Sequence, residues 1–304
     1  MADRRLQVFH AVAKHRSFTK AAETLFMTQP AVTFQIKQLE EQFNARLFER
    51  GHGQISLTEA GQMVFDYAER ILGLSSELEA RMKDLTGQVA GALLIGASMT
   101  IADYLLPQVL GEFKVRFPSV VPRLLVANSE MVQSQVAEHS LDIGFIEGES
   151  LLPSLVTETC CEDELQLVCA PSHPLAKHKT IAPELLAQHA YVSREPGSGT
   201  REVADRYLQK VGVASEVLHP AMELGSPEAL KGLVGTGYGF AIMSRATVAK
   251  EARLGELVGI PFSPRMVRNL SAVYPKQRFH PKMLASFVAF AKERLAALAV
   301  SARP

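Results

Sequence analysis

Residues 17–40, SFTKAAETLFMTQPAVTFQIKQLE, constrain the fold more than any other stretch of the chain. Ala21, Ala22, Leu25, Val32, Ile36 and Leu39 recur at helical spacing, interrupted by Phe26-Met27-Thr28. The spacing predicts two short helices, about 18–25 and 29–42, each with one apolar face. Ser17 is a good N-cap for the first. Pro30 sits in the first turn of the second, where a missing N–H costs nothing. The small Ala21-Ala22 pair lets the two backbones approach closely. This is a helix-turn-helix, whose second helix fits a DNA major groove. The blander reading is a helical hairpin with a solvated polar face.

The second helix carries suitable chemistry. Gln29, Thr33 and Lys37 are four residues apart and share a face. Gln can read adenine, Thr can meet a thymine methyl or a phosphate, and Lys can meet guanine or phosphate. The helix N-terminus itself favours an anion. Net formal charge is zero over the 304 residues, yet it is unevenly spread. Residues 1–50 hold eight Lys/Arg against five Asp/Glu, whereas residues 58–86 hold three against six. The basic balance coincides with the DNA-type helix.

The neighbouring segments extend this reading. Residues 3–15 form a helical stripe through Leu6, Phe9, Val12 and Ala13 that packs behind the pair. Residues 46–50 and 54–57 flank Gly51-His52-Gly53 as a hairpin, giving a winged helix-turn-helix. Arg50 and the tip residue His52 are placed to reach backbone phosphate or the minor groove. Thr58 then caps a long helix, about 59–85. Val64, Tyr67, Ala68, Ile71, Leu74, Ser75, Leu78 and Met82 form its stripe. A stripe of that length with few partners in its own domain points to pairing with a second copy.

Beyond Thr86-Gly87-Gln88 the pattern alternates strands and helices. Strands are expected at 92–97, 122–127, 141–146, 165–170, 190–193, 221–224, 240–243 and 269–274. Helices are expected at 102–116, 131–138, 181–187, 201–210, 226–234, 245–251 and 281–298. This is an α/β arrangement, in which ligands bind beyond the carboxyl ends of strands. Four strand-to-helix turns carry hydroxyls, amides and glycines: Ser98 and Thr100; Asn128 and Ser129; Gly199, Thr200 and Arg201; and Ser226. Together they fit a small polar or anionic ligand at helix N-termini. Singly, each is an ordinary N-cap.

Catalytic signatures are missing. Pro196-Gly197-Ser198-Gly199-Thr200 is neither a nucleophile elbow nor a P-loop. His139, His173, His189 and His219 lack metal-ligand spacing, so no metal or cofactor is expected. Glu147 and Glu149 flank Gly148 at a strand end, where they read as a solvated loop, with a place in the lining of the cleft as the alternative. Cys160, Cys161 and Cys169 show no CxxC pattern and read as reduced, buried thiols. The opening residues read as a helix and not a secretory leader. No apolar run approaches the roughly 18 residues of a membrane span, so the expectation is a cytoplasmic chain.

The N-terminal run through Phe9, Ser17-Phe18, Ala21-Ala22, Gln29-Pro30-Ala31-Val32, Ile36, Leu39-Glu40, Leu47-Phe48-Glu49-Arg50 and Leu57-Thr58-Glu59-Ala60-Gly61 resembles the LysR-type transcriptional regulators. The resemblance implies residues 1–58 as DNA-binding domain, 59–87 as linker and dimerisation helix, and 88–304 as a periplasmic-binding-protein-like effector domain. That domain is expected as two Rossmann-like subdomains, about 90–162 plus 267–304 and about 163–266. It implies a homodimer through the linker helix, assembled into a homotetramer on double-stranded promoter DNA. Gln29, Pro30, Thr33, Lys37 and Arg50 match the DNA-facing positions. Phe34 departs from the family pattern, where many members carry a polar residue. The runs 141–148, 194–201 and 222–229 resemble the carbon-fixation-operon and sulfite-responsive branches, which implies a small anionic or phosphorylated effector. An architectural DNA binder without ligand response, or a ligand-transforming enzyme, are the alternatives.

Overall fold

The computed structural model describes residues 3–51, 54–85, 89–213, 220–277 and 281–301. The chain divides into two compact units, Met1–Gln88 and Val89–Pro304.

In the first unit, α1 (Arg4–His15), α2 (Phe18–Thr24) and α3 (Gln29–Phe43) enclose a core of Val8, Phe9, Val12, Ala21, Val32, Ile36 and Leu39. The Ser17 hydroxyl caps α2 by accepting from the Lys20 N–H at 3.2 Å, as the sequence leads one to expect. The turn into α3 passes through Phe26 in the left-handed region, φ 53°. β1 (Phe48–Gly51) and β2 (Gln54–Leu57) pair antiparallel with Arg50 opposite Ile55. Glu40 ties this wing to α3: its Oε1 accepts from the Leu47 N–H at 2.8 Å. The tip residue His52, and the side chain of Arg50, lie outside the described residues.

α4 (Glu59–Leu85) is 27 residues long. Thr58 caps it, accepting from the Gly61 N–H at 2.9 Å. The stripe read from the sequence divides in two. Val64 and Ala68 pack inward on the helix-turn-helix core. Tyr67, Ile71, Leu74, Leu78 and Met82 are exposed, joined by Met63 and Leu85.

The second unit is built on a mixed eight-stranded sheet in the order β4-β3-β5-β10-β6-β9-β7-β8. One half holds β3 (Gly91–Ser98), β4 (Val120–Ala127) and β5 (Ile143–Glu147), with β3 parallel to both neighbours. The other holds β7 (Tyr191–Arg194), β8 (Pro220–Leu224) and β9 (Phe240–Ser244), again with β7 parallel to both. β6 (Leu155–Cys169) and β10 (Val258–Pro275) run antiparallel to each other through both halves. Their register shifts between Pro261 and Met266, where the ribbon passes from one half to the other. Separate cores lie on either side: Ile95, Phe113, Phe145 and Phe287 in one, Leu167, Tyr191, Phe240 and Phe262 in the other.

Three sequence expectations need correction here. The strands expected at 165–170 and 269–274 are only parts of β6 and β10. The acidic run Glu158 to Glu164 and the prolines Pro261 and Pro264 masked the rest, because both patterns disfavour strand in isolation. The single helix expected at 102–116 is two: α5 (Met99–Tyr104) and α6 (Leu106–Arg116). Pro107 lies in the first turn of α6; it restricts the backbone before it and ends α5. The helix expected at 181–187 is a 3-10 segment, Pro183–Gln188.

Candidate functional sites

The outward face of α3 is set by burying Val32, Ile36 and Leu39. Gln29, Pro30 and Lys37 are exposed and Thr33 is half-buried. The Thr33 hydroxyl donates to the Gln29 carbonyl at 3.0 Å, and Lys37 lies 3.8 Å from Glu41, a weak exposed pair. Phe34 sits on the same outward face with 57% of its surface exposed. An unshielded phenyl there gives the helix an apolar contact alongside its polar ones.

In the second unit, α7 (Ser129–Ala137), α8 (Gly199–Lys210) and α9 (Pro227–Gly235) begin at strand ends. The β3–α5, β4–α7 and β7–α8 turns converge on one group, Glu147, the last residue of β5. It is 4% exposed. The Ser98 hydroxyl donates to its Oε1 at 3.2 Å and the Thr200 hydroxyl to its Oε2 at 2.9 Å. Thr100 hydrogen-bonds to it as well. The Ser129 hydroxyl accepts from the Glu147 N–H at 3.2 Å. Arg268 of β10 completes the set, its Nη1 2.9 Å from Glu147 Oε2. Arg268 also donates from Nε to Asp163 Oδ2 at 2.9 Å, and Ser244 donates to Asp163 Oδ1 at 2.7 Å.

Burial alone pushes the Glu147 carboxyl up. Arg268, the Thr100 hydroxyl, Arg194 and the Thr200 hydroxyl together outweigh it and hold the carboxyl below its ordinary range. Of the two expectations for Glu147, a solvated loop and a place in the lining of the cleft, the first needs correction: Glu147 is a buried strand end, and Arg268, more than a hundred residues away in sequence, neutralises it. Arg268 and Asp163 went unnoticed in the sequence for the same reason: their partners are distant and no short motif connects them. Arg194 stands in the 194–201 run, but nothing local marks it as a buried cation.

The two halves touch directly at this point. A Cβ on Gly199 would lie 2.6 Å from both the Cβ and the carbonyl oxygen of Glu147, and 2.7 Å from Ser129 Oγ. Asn128 caps α7 through the Met131 N–H at 2.9 Å, and its Nδ2 donates to the Pro196 carbonyl at 3.4 Å. Ser98, Thr100, Asn128, Ser129, Gly199 and Thr200 are therefore brought together. Arg201 is turned toward Glu223 at 2.6 Å and the Arg194 carbonyl at 3.1 Å. Ser226 caps α9. Beside it, a second contact crosses between the halves: Tyr104 of α5 donates to Glu228, which Lys231 holds at 2.8 Å.

Among the described residues, Ser198 is one of several buried polar side chains with an atom that makes no hydrogen bond. Ser198, the N-cap of α8, is 1% exposed and its hydroxyl makes no hydrogen bond. Such an orphan invites an acceptor. Burial pushes the three free thiols up, to about 11 for Cys160, about 12 for Cys161 and about 11 for Cys169, so thiolate is scarce at neutral pH. Among the described residues no cluster of three or more His, Cys, Asp or Glu could hold a metal, and no helix is long and apolar enough to cross a membrane. His219 lies outside those residues.

Residues 4–62 match the family model described as "Bacterial regulatory helix-turn-helix protein, lysR family", and residues 86–296 match "LysR substrate binding domain". The chain is a LysR-type transcriptional regulator. The "Probable RuBisCO transcriptional regulator" of Cyanidioschyzon merolae is 40% identical to this regulator over 252 residues, covering 82% of the chain and 83% of the relative. Among solved structures, full-length CbnR complexed with its target DNA aligns at TM-score 0.63 and 23% identity, covering 97% of this chain and all of that one. The Synechocystis PCC6803 CcmR regulatory domain in complex with 2-PG aligns at TM-score 0.61 and 24% identity, covering 67% of this chain and 96% of that one. These likenesses agree with the fold described above. The family consists of transcriptional regulators, which removes the enzyme alternative.

Proposed function

We propose that the regulator controls carbon-fixation genes in response to a small phosphorylated acid held in the cleft around Glu147. The observation that carries this reading is the convergence of three hydroxyl-bearing strand-to-helix turns on one buried point, with the Ser198 hydroxyl left unpartnered beside it. Helix N-termini and hydroxyls suit a multi-oxygen anion. The relative named for RuBisCO regulation and the CcmR domain bound to 2-PG support the same chemical class. Sulfite is the simpler anion of the same type.

On this reading α3 enters the major groove of promoter DNA in the cytoplasm, with Gln29, Pro30, Thr33, Lys37 and Arg50 facing the duplex. The exposed stripe of α4 pairs two chains, and pairs of dimers occupy neighbouring half-sites as a tetramer. Ligand binding shifts the balance between cleft conformations and so the spacing of the DNA-binding heads. Residues 59–87 serve as the linker, and the cleft divides subdomains of about 90–162 plus 267–304 and 163–266.

The test is a gel shift on the regulator's own upstream DNA with 2-phosphoglycolate, sulfite or sulfate added. The expected result is a specific complex whose affinity or mobility changes with 2-phosphoglycolate. A specific complex indifferent to every anion would favour an architectural role.

A further inference from the structure

The cleft hydroxyls already have a use. Ser98 and Thr200 each donate their one proton to Glu147, and Thr100 bonds the same carboxylate. An entering anion must therefore find its positive charge elsewhere. Arg268 is locked between Glu147 and Asp163, with side chains of all three at most 8% exposed. Arg201 is committed to Glu223 and Asp205. Arg194 is different. It ends β7 with a 5% exposed side chain, and its Nη2 reaches Met99 Sδ at 3.5 Å, at the start of α5 in the other half. It is near enough to Glu147 to lower that carboxyl. Its counterion is its own neighbour, Glu195, held at 2.7 Å and 2.9 Å in a two-point pair. Glu195 is more open, with 24% of its side chain exposed, and it belongs to the loop that carries the unpartnered Ser198.

We infer that Arg194 is the charge partner of the effector, and that Glu195 occupies its guanidinium until the ligand arrives. The inference rests on the cleft reading above. Binding is an exchange of anions: the ligand's phosphate takes the two-point seat on Arg194 and the Glu195 carboxylate turns out to water. Nothing buried is left unpaired, since the guanidinium keeps an oxyanion partner throughout. The exchange selects oxyanions that span two donors and disfavours neutral analogues. Because Arg194 also touches Met99, an occupied Arg194 draws both halves onto the ligand.

The experiment is calorimetric titration of the full chain with 2-phosphoglycolate and, separately, inorganic phosphate. Glu195→Gln keeps the size of the side chain but removes the competing charge, and is expected to tighten binding about three- to tenfold. Arg194→Met is expected to weaken it about tenfold or more. In the double variant the gain from Glu195→Gln should vanish, which separates exchange from a general loosening of the loop. A gain cannot arise from misfolding, so Glu195→Gln stands even if Arg194→Met is unstable. Binding by wild type that Glu195→Gln leaves unchanged or weakens, or a gain that persists without Arg194, overturns the exchange alone. Absence of binding to either probe, by wild type and Glu195→Gln alike, overturns the cleft reading itself.

Discussion

Glu147 and Arg268 form a nearly solvent-free ion pair at 2.9 Å, joining the end of β5 to the strand that passes between the two halves of the effector unit. Asp163 shares Arg268, so the three side chains form a chain of charge in which the arginine is central. Removing the arginine leaves two buried carboxylates, whereas removing Glu147 leaves a balanced pair. Arg268→Met is expected to cost about 3–5 kcal/mol and Glu147→Gln clearly less. Urea denaturation followed on the effector-domain transition compares them. Equal losses would show that the arginine is not the central member of the network.

The same pair dictates a pH dependence. The folded Glu147 carboxyl lies below its ordinary range. The stability it contributes is fully present above the unfolded carboxyl's titration and fades as pH falls through the lower folded one. Melting temperatures from pH 7 down to pH 3 should fall in wild type and fall less in Glu147→Gln. Parallel curves would contradict this.

Gly199 brings the backbone of α8 against Glu147. A methyl group there meets backbone at 2.6 Å, which has no flexible end to move aside. Gly199→Ala is expected to cost about 1–3 kcal/mol and to separate the halves, weakening ligand binding as well. Thermal shift with and without 2-phosphoglycolate reads both effects. A variant with wild-type stability and response would refute the contact.

Leu74 and Leu78 are 64% and 55% exposed on α4, apolar positions that a second copy of the helix would bury. The pair Leu74→Asp and Leu78→Asp should convert the assembly to monomer in sedimentation velocity. Operator affinity should fall about a hundredfold or more as bivalent binding is lost. An unchanged sedimentation coefficient would place the dimer contact elsewhere.

Phe34 gives α3 an apolar contact suited to the thymine methyl. A DNA probe with deoxyuridine in place of thymine removes only that methyl. Wild type should bind it several-fold more weakly than the thymine probe, while Phe34→Ala should bind both alike. Equal discrimination by the two proteins would assign the methyl contact to another residue.

The DNA-binding half was legible because its information is local. Ser17 caps the helix it precedes, and Val32, Ile36 and Leu39 repeat within a few turns. The direction of the α4 stripe was legible only in part, since Val64 and Ala68 belong to the fold and Tyr67 and Leu74 to the surface. In the effector half, the turns bearing Ser98, Ser129 and Thr200 were visible as local patterns. What they converge on was not. Glu147, Asp163 and Arg268 are ordinary surface-type residues by sequence. Only the pairing of β10 with β5 and β6 places the three together. The crossing strands were hidden similarly: β6 is acidic and β10 is interrupted by proline, and each is a strand because the other is beside it.

A crystal structure of the full chain grown with 2-phosphoglycolate is the decisive test of a ligand-gated cleft. Phosphate density is expected between Ser98–Thr100 and Gly199–Thr200, with the Arg194 guanidinium on the phosphate and Glu195 turned away. Ligand bound at saturating concentration anywhere outside this cleft would contradict it.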